Sequence, residues 1–334
     1  MSLERSCLRS IFNKSFTRIK ALKSESNQLQ AFVAGDAFES LLRGRSWPAS
    51  DEVLHRLDQL GLNVLVQQQR CAIPTPPTLL DIDWIRSQLT TSIELQYDFV
   101  VESTNRLALA HGGVKPAVYL AEFQAQGRGR SGRQWISPFG ANLMLSFVRQ
   151  LNLGVTDLAG LSLAIGSRLV VCLRSKGVKG LTLKWPNDLL VDGHKTAGIL
   201  IEIDVVSPAK VCVVVGIGLN VEACPEPGDI GQTASKLRMA TELSRSELAA
   251  IVINELSEAL ADFEDQGLEP ILKSWSQVDG FIGQSVRVVQ NEESVFGKNL
   301  GIDERGNLLL QTADGLRAFS VGDVSLRANA GATS

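Results

Sequence analysis

Gly127-Arg128-Gly129-Arg130-Ser131-Gly132-Arg133-Gln134-Trp135 interleaves three glycines with three arginines and contains no acidic residue. Glycine lets the backbone approach a ligand closely and takes up positive φ without strain. Arginine presents a planar fork of donors matched to phosphate and carboxylate oxygens. The stretch therefore reads as a loop that wraps an anionic small molecule. Gly127, Gly129 and Gly132 also satisfy G-x-G-x-x-G, the dinucleotide fingerprint, which needs a strand before it and a helix opening at its third glycine. A strand precedes it, Val118 to Phe123, but Pro138 and Gly140 stop any helix after Gln134. The doubly wound nucleotide fold is set aside on that ground. A solvated basic loop would need neither the glycines nor the Arg-Gly alternation.

About 50 residues further on comes Lys184-Trp185-Pro186-Asn187-Asp188, a polar cluster between apolar runs. Alternation along Leu181 to Trp185 turns Leu181, Leu183 and Trp185 to one face and Lys184 to the other, which is read as the site face. Pro186 breaks the strand, so Asn187 and Asp188 project at a bend. No G-x-S-x-G, Cys-His pair or Walker A loop accompanies these groups. Phosphate chemistry by positioning and charge neutralisation, without a covalent enzyme intermediate, fits the inventory.

The chain has 334 residues, enough for two or three domains, and a hydrophobic fraction of 44%. A net charge of −3 gives no global field for nucleic acid or membrane, so DNA binding would rest on a local patch. The five cysteines (7, 71, 172, 212 and 224) form no C-x-x-C pair and read as reduced, cytoplasmic thiols. His55, His111 and His194 lie far apart, and no metal site is expected from them. The apolar run Val211 to Leu219 is too short to span a membrane and β-branched enough for a buried strand. The basic N-terminus lacks an apolar signal-peptide core; a transit peptide is the minor alternative.

Three domains are expected. Residues 1–78 read as a winged helix-turn-helix: a helix in Asp36 to Arg43, a second from Pro48 to Leu60 stopped by Gly61, and a wing from Asn63–Val66 and Cys71–Ile73. The prolines at 74, 76 and 77 close it. Residues 79–273 mix strands and helices. Among them are a strand ending at Val101 with Ser103 as the next helix's N-cap, an amphipathic helix over Asp157 to Arg174, and an Asp192-Gly193 hairpin turn. A capping box at Ser244-Arg245-Ser246-Glu247 opens a further helix. Residues 274–330 show five short strands punctuated by Asn291, Gly306-Asn307 and Asp314-Gly315, as in a small SH3-like barrel. The fold class is α+β.

Taken together, Ala121 to Gln126 with the Gly/Arg loop, Ser137 to Leu143, Lys184 to Leu189, Lys195 to Glu202 and Gly216-Ile217-Gly218-Leu219-Asn220 resemble the biotin protein ligases in order and spacing over residues 97–327. The resemblance implies a catalytic domain related to class II aminoacyl-tRNA synthetases. It further implies biotin contacts at Ser103, Thr104, Asn105 and Gln124 and an ordering loop at Arg128, Gly129 and Arg130. Lys184 is then the cation beside the reacting carboxylate and α-phosphate, with Arg128 and Arg130 assisting. Arg130, Trp135, Asn187 and Asn220 fall on the nucleotide side, and Asp188 orients Lys184 or the magnesium shell. Ser131 and Met144 depart from the pattern, where a basic and an aromatic residue are common. Implied substrates are biotin and ATP with Mg2+, and the implied partner is a biotin carboxyl carrier domain. A homodimer and an operator DNA are further partners of such proteins. A lipoate ligase, a biotin-dependent repressor and a non-catalytic biotin-binding module are the rival readings. Against the repressor, the second helix carries Asp51, Glu52 and Asp58, and the wing Gln67-Gln68-Gln69-Arg70-Cys71 lacks a glycine-basic tip.

Overall fold

The computed structural model describes residues 25–225, 233–290, 293–320 and 324–328. The sequence readings on the basic N-terminus, Cys7 and Asn291 lie outside them.

The first unit holds helices Asp36–Leu42 and Asp51–Gln59 and a sheet of order β1-β3-β2, with β1 Trp47–Pro48, β2 Leu65–Gln67 and β3 Arg70–Ala72. The second helix starts at Asp51 and not at Pro48. Trp47 and Pro48 pair instead with Cys71 and Arg70, and the Ser50 side chain caps the helix by accepting from Val53 N at 3.3 Å. Proline is tolerated there because β1 is an edge. Gln68 and Gln69, at φ 49° and 59°, make the tight turn between β2 and β3.

The prolines after Ile73 do not isolate this unit. Leu29, Phe38, Leu41, Leu57, Leu60, Cys71 and Ile73 share one buried cluster with Val100 and Phe139 of the next unit. Phe38 meets Phe139 edge-on at 5.1 Å, Phe139 N donates to Leu60 O at 2.8 Å, and Gln30 Nε2 donates to Val100 O at 3.0 Å.

The central sheet has seven strands: β4 Glu94–Val101, β5 Ala117–Gln124, β6 Leu143–Leu151, β7 Leu181–Lys184, β8 Asp188–Val191, β9 His194–Ser207 and β10 Lys210–Leu219. Their order is β4-β5-β6-β10-β9-β8-β7, with β4 and β5 parallel and the other pairs antiparallel. Both faces are covered, which is why Val211 to Leu219 reads as a continuous apolar run. Val211, Val213, Val215 and Ile217 face the main core, beneath helices Leu161–Ser175 and Arg245–Gln266. Cys212 and Val214 face the other way, with Ala108 of helix Thr104–His111.

The capping box at Ser244 and Glu247 forms as expected. The amphipathic helix begins at Leu161, because Gly160 takes φ 82° and residues 155–158 form a separate short turn. Residues 155–175 are long and apolar enough to cross a membrane, but Leu161, Leu163, Ile165, Leu169, Val170 and Leu173 are buried in the main core.

A second sheet follows: β11 Ser285–Gln290, β12 Glu293–Ile302, β13 Leu308–Thr312, β14 Gly315–Phe319 and β15 Val324–Ala328, antiparallel in the order β14-β13-β12-β11-β15. It is joined to the Lys184–Asp188 segment through Trp185, whose fully buried indole Nε1 donates to Gly306 O at 3.0 Å.

Candidate active site

A cavity of about 400 Å3 opens on the sheet face that carries helix Thr104–His111. Beyond Cys212 and Val214 the same face of β10 continues with Gly216 and Gly218, and the loss of side chains there opens the space. A Cβ on Gly216 would lie 2.2 Å from Asn105 Oδ1, and one on Gly218 would lie 2.5 Å from the Trp135 ring. Gly198, paired with Gly218 on β9, adds a second flat position under Trp135.

The polar end is built by the turn from β4 into helix Thr104–His111. Ser103 occupies the N-cap position, yet its side chain makes no capping bond; it is buried and lines the cavity. Gln124 Oε1 accepts from Thr104 N at 2.9 Å and from Thr104 Oγ1 at 3.1 Å. Ser146 Oγ lies 2.7 Å from Thr104 Oγ1 and 2.5 Å from Asn105 Oδ1. Thr104 and Gln124 thus orient one another before any ligand binds, and Ser146 links Asn105 to them.

The Gly/Arg loop folds back on itself over the cavity. Gly129 N donates to Arg133 O at 2.7 Å and Trp135 N to Gly127 O at 2.9 Å. Gly127 has no room for a side chain, since a Cβ would stand 2.3 Å from Trp135 O. Gly129 is different: its φ is −117° and its nearest neighbour would be at 3.4 Å. Positive φ in the loop falls on Ser131 and Gly132, at 54° and 72°.

The basic wall sets two lysines on one carboxylate. Lys195 lines the cavity, and Lys184 stands across from Asp188 on the same face of the sheet, one strand further out. Asp188 holds both, with Lys195 Nζ at 2.6 Å and Lys184 Nζ at 3.2 Å. Burial pushes the Asp188 carboxyl up, but Lys195 and Lys184 more than offset this and hold it below its ordinary value. Lys195 Nζ also stands 5.9 Å from the centre of the Trp135 ring. Arg130 Nη1 donates to Asn187 Oδ1 at 3.0 Å, and Asn187 Nδ2 donates to Ile199 O at 2.8 Å, so the loop is braced against β8 and β9. Arg128, Arg130, Arg133 and Lys195 line the cavity against the single carboxylate of Asp188, which makes it an anion site. Trp135 Nε1 and Asn220 Oδ1 are buried in its wall with no hydrogen-bond partner among the described residues. A ligand would supply one donor and one acceptor to them.

Thus Ser103, Thr104, Asn105, Gln124, Arg128, Gly129, Arg130, Trp135, Asn187 and Asn220 all line the cavity. Sequence reasoning missed Lys195, Gly198, Gly216 and Gly218 as wall residues. Lys195 was hidden by a β-bulge. Leu189 pairs with Ala197 but Leu190 with Lys195, so one extra residue in β9 turns Lys195 to the side of Gly198 and Leu200. Plain alternation would have placed it with Ala197 and Ile199, both buried in the main core.

Among the described residues, no three His, Cys, Asp or Glu side chains come together as a metal cage.

Known proteins resemble this chain over most of its length. Residues 98–220 match the biotin/lipoate A/B protein ligase family, and residues 281–327 match the biotin protein ligase C-terminal domain. The bifunctional ligase/repressor BirA of Escherichia coli is 36% identical over 89% of this chain and 93% of its own length. The biotin--[acetyl-CoA-carboxylase] ligase of Mycobacterium tuberculosis is 33% identical over 69% of this chain and 88% of its own. Among solved structures, the biotin protein ligase of Aquifex aeolicus in complex with biotin and ATP superposes with a TM-score of 0.60. It has 28% identity and covers 71% of this chain and 99% of its own. This chain belongs to the biotin protein ligase family. The longer match to the bifunctional relative must include residues ahead of 98, where the first unit lies.

Proposed function

We infer that this chain is a biotin protein ligase that works in two steps. The biotin carboxylate attacks the α-phosphorus of ATP, the bond to the β-phosphate bridge breaks, and biotinyl-5′-adenylate and pyrophosphate result. A lysine amine of a biotin carboxyl carrier domain then attacks the mixed anhydride, forming an amide and releasing AMP and a proton. The observation that carries this reading is one cavity holding an amide-and-hydroxyl end and a cationic end under a glycine-arginine loop. Ser103, Thr104, Asn105 and Gln124 hold the uncharged ring system. Lys195 and Arg130 face the carboxylate and α-phosphate, where negative charge crowds in the transition state. Lys184 acts one step back, sharing Asp188 with Lys195. Trp135 and Asn220 offer their unmatched donor and acceptor to the nucleotide side. The loop keeps water from the anhydride.

The finer architecture follows the same reading. The seven-stranded sheet corresponds to a class II aminoacyl-tRNA synthetase-like core, the second sheet to an SH3-like barrel, and the first unit to a winged helix-turn-helix. Incubation with biotin, ATP, magnesium and a carrier domain, followed by mass measurement, tests the activity. Mass gain by one biotinyl group on the carrier is the expected result. A gain only with lipoate would move the chain to the other branch of its family.

Operator binding is the second reading, favoured by the length of the match to the bifunctional relative. The exposed face of helix Asp51–Gln59 carries Asp51, Glu52 and Asp58, while Arg56 is engaged by Gln59 and Gln28. DNA phosphates need cations. The first unit therefore serves the ligase as a packed support, and a gel shift with biotin and ATP present on the chain's own biotin-synthesis promoter should show only weak binding. Tight, salt-sensitive binding that requires the adenylate would restore the repressor.

A further inference from the structure

Gly198, Leu200 and Glu202 follow one another at alternate positions on the cavity side of β9. The first two line the cavity; Glu202 lies one step beyond it. Its two carboxylate oxygens have different partners. Oε2 accepts from Asn105 Nδ2 at 2.8 Å, and Oε1 accepts from Arg128 Nη2 at 2.5 Å. Asn105 and Arg128 are both wall residues, one from the rigid polar end and one from the Gly/Arg loop. No other acidic side chain among the described residues bonds to the loop arginines in this way.

We propose that Glu202 is a positioning residue that presets both halves of the site. Bonded to Asn105 Nδ2, it fixes which way that amide points, since Ser146 already holds the Oδ1 side at 2.5 Å. Bonded to Arg128, it ties the loop down to the sheet before ligand arrives. An exposed ion pair alone would do little of this. Here the carboxylate is already oriented by Asn105 and its side chain is only 17% exposed, so Arg128 meets a fixed acceptor. The tie acts on the whole loop, because Arg128 pairs with Gln134 and Gly129 with Arg133. A carboxylate is required because a neutral amide has one acceptor oxygen and cannot serve two donors from both of its ends. The inference rests on the cavity being the biotin-adenylate site only for its effect on substrate; the tie on the loop stands without it.

The test has two arms, with Glu202→Gln, Arg128→Gln and the double variant against the unaltered chain. The first arm is hydrogen exchange across residues 127–135 with no ligand present. Faster exchange in E202Q, and no further increase in the double variant over the faster single one, is expected. Equal exchange in E202Q and the unaltered chain would overturn the tie. R128Q, altered at a partly exposed side chain, keeps this arm decisive if E202Q fails to fold: it must open the same segment, and unchanged exchange in R128Q overturns the tie equally. The second arm is biotin-dependent pyrophosphate exchange. Loss of one charged hydrogen bond at the polar end should raise the biotin KM of E202Q about tenfold, with kcat at saturating biotin falling less than about threefold. An unchanged KM would overturn the role at Asn105, which a merely structural defect would not single out. If the unaltered chain makes no adenylate, the ligase reading fails, while the exchange arm still decides the role of Glu202.

Discussion

Lys195 Nζ stands 2.6 Å from Asp188 Oδ1, and Lys184 reaches the other oxygen of the same carboxylate at 3.2 Å from the opposite side. One buried acid thus supports two lysines, and Lys195 lines the cavity beside it.

Lys195→Gln should lower the rate of biotin-dependent pyrophosphate exchange by about 10²–10³, the usual loss when a group facing transition-state charge is removed. Lys184→Gln should lower it by no more than about tenfold, since that ammonium acts through Asp188. The two rates, measured at saturating substrates, check the order. A larger loss for Lys184 would reinstate it as the cation at the reacting atoms.

Asp188→Asn leaves Lys184 buried and Lys195 half-buried without their carboxylate and should destabilise the fold by about 2–4 kcal/mol at neutral pH. The sign of its pH dependence follows from the lowered folded value. The carboxyl has its ordinary value of 3.8 when unfolded, so its contribution is complete above that pH and is lost as pH falls through the lower folded value. The gap in melting temperature between D188N and the unaltered chain should therefore be wide at pH 7 and close in strong acid.

Gly218→Ala should displace Trp135, whose ring atoms occupy the Cβ position at 2.5 Å. Loss of nucleotide affinity with an unchanged melting curve is the expected pattern, read by calorimetry with a non-hydrolysable ATP analogue. In the loop, Gly127→Ala should impair activity, because Trp135 O blocks the added atom, while Gly129→Ala should be close to neutral for folding.

Phe38→Ala should destabilise the whole chain by about 3–5 kcal/mol, because its ring is fully buried against Phe139. Phe139 lies just after the Gly/Arg loop, and Val100 lies just before Ser103. Sequence reasoning, with all matched motifs beyond the prolines at 74–77, expects deletion of residues 1–78 to leave substantial ligation. The shared core predicts the reverse: a deleted chain that exposes Val100 and Phe139 and loses activity. Thermal melting and ligation of the truncated chain discriminate the two.

By itself, the sequence determined the element types, the Asp192-Gly193 hairpin turn, the capped helix at Ser244 and the polar and basic residues at the two ends of the cavity. Local physics suffices for these: a capping box, an Asp-Gly turn and a glycine-arginine loop each declare themselves within a few residues. The position of Lys195 lay beyond its reach, because a single bulged residue in β9 inverts the alternation that a strand pattern assumes. Also hidden was why Gly216 and Gly218 are glycines, since the groups that need their space, Asn105 and Trp135, come from segments about 80 to 110 residues away. The union of the first unit with the catalytic core was equally illegible. A proline cluster reads as a boundary along the chain, but only the packed structure shows that Phe38, Val100 and Phe139 bury one another across it.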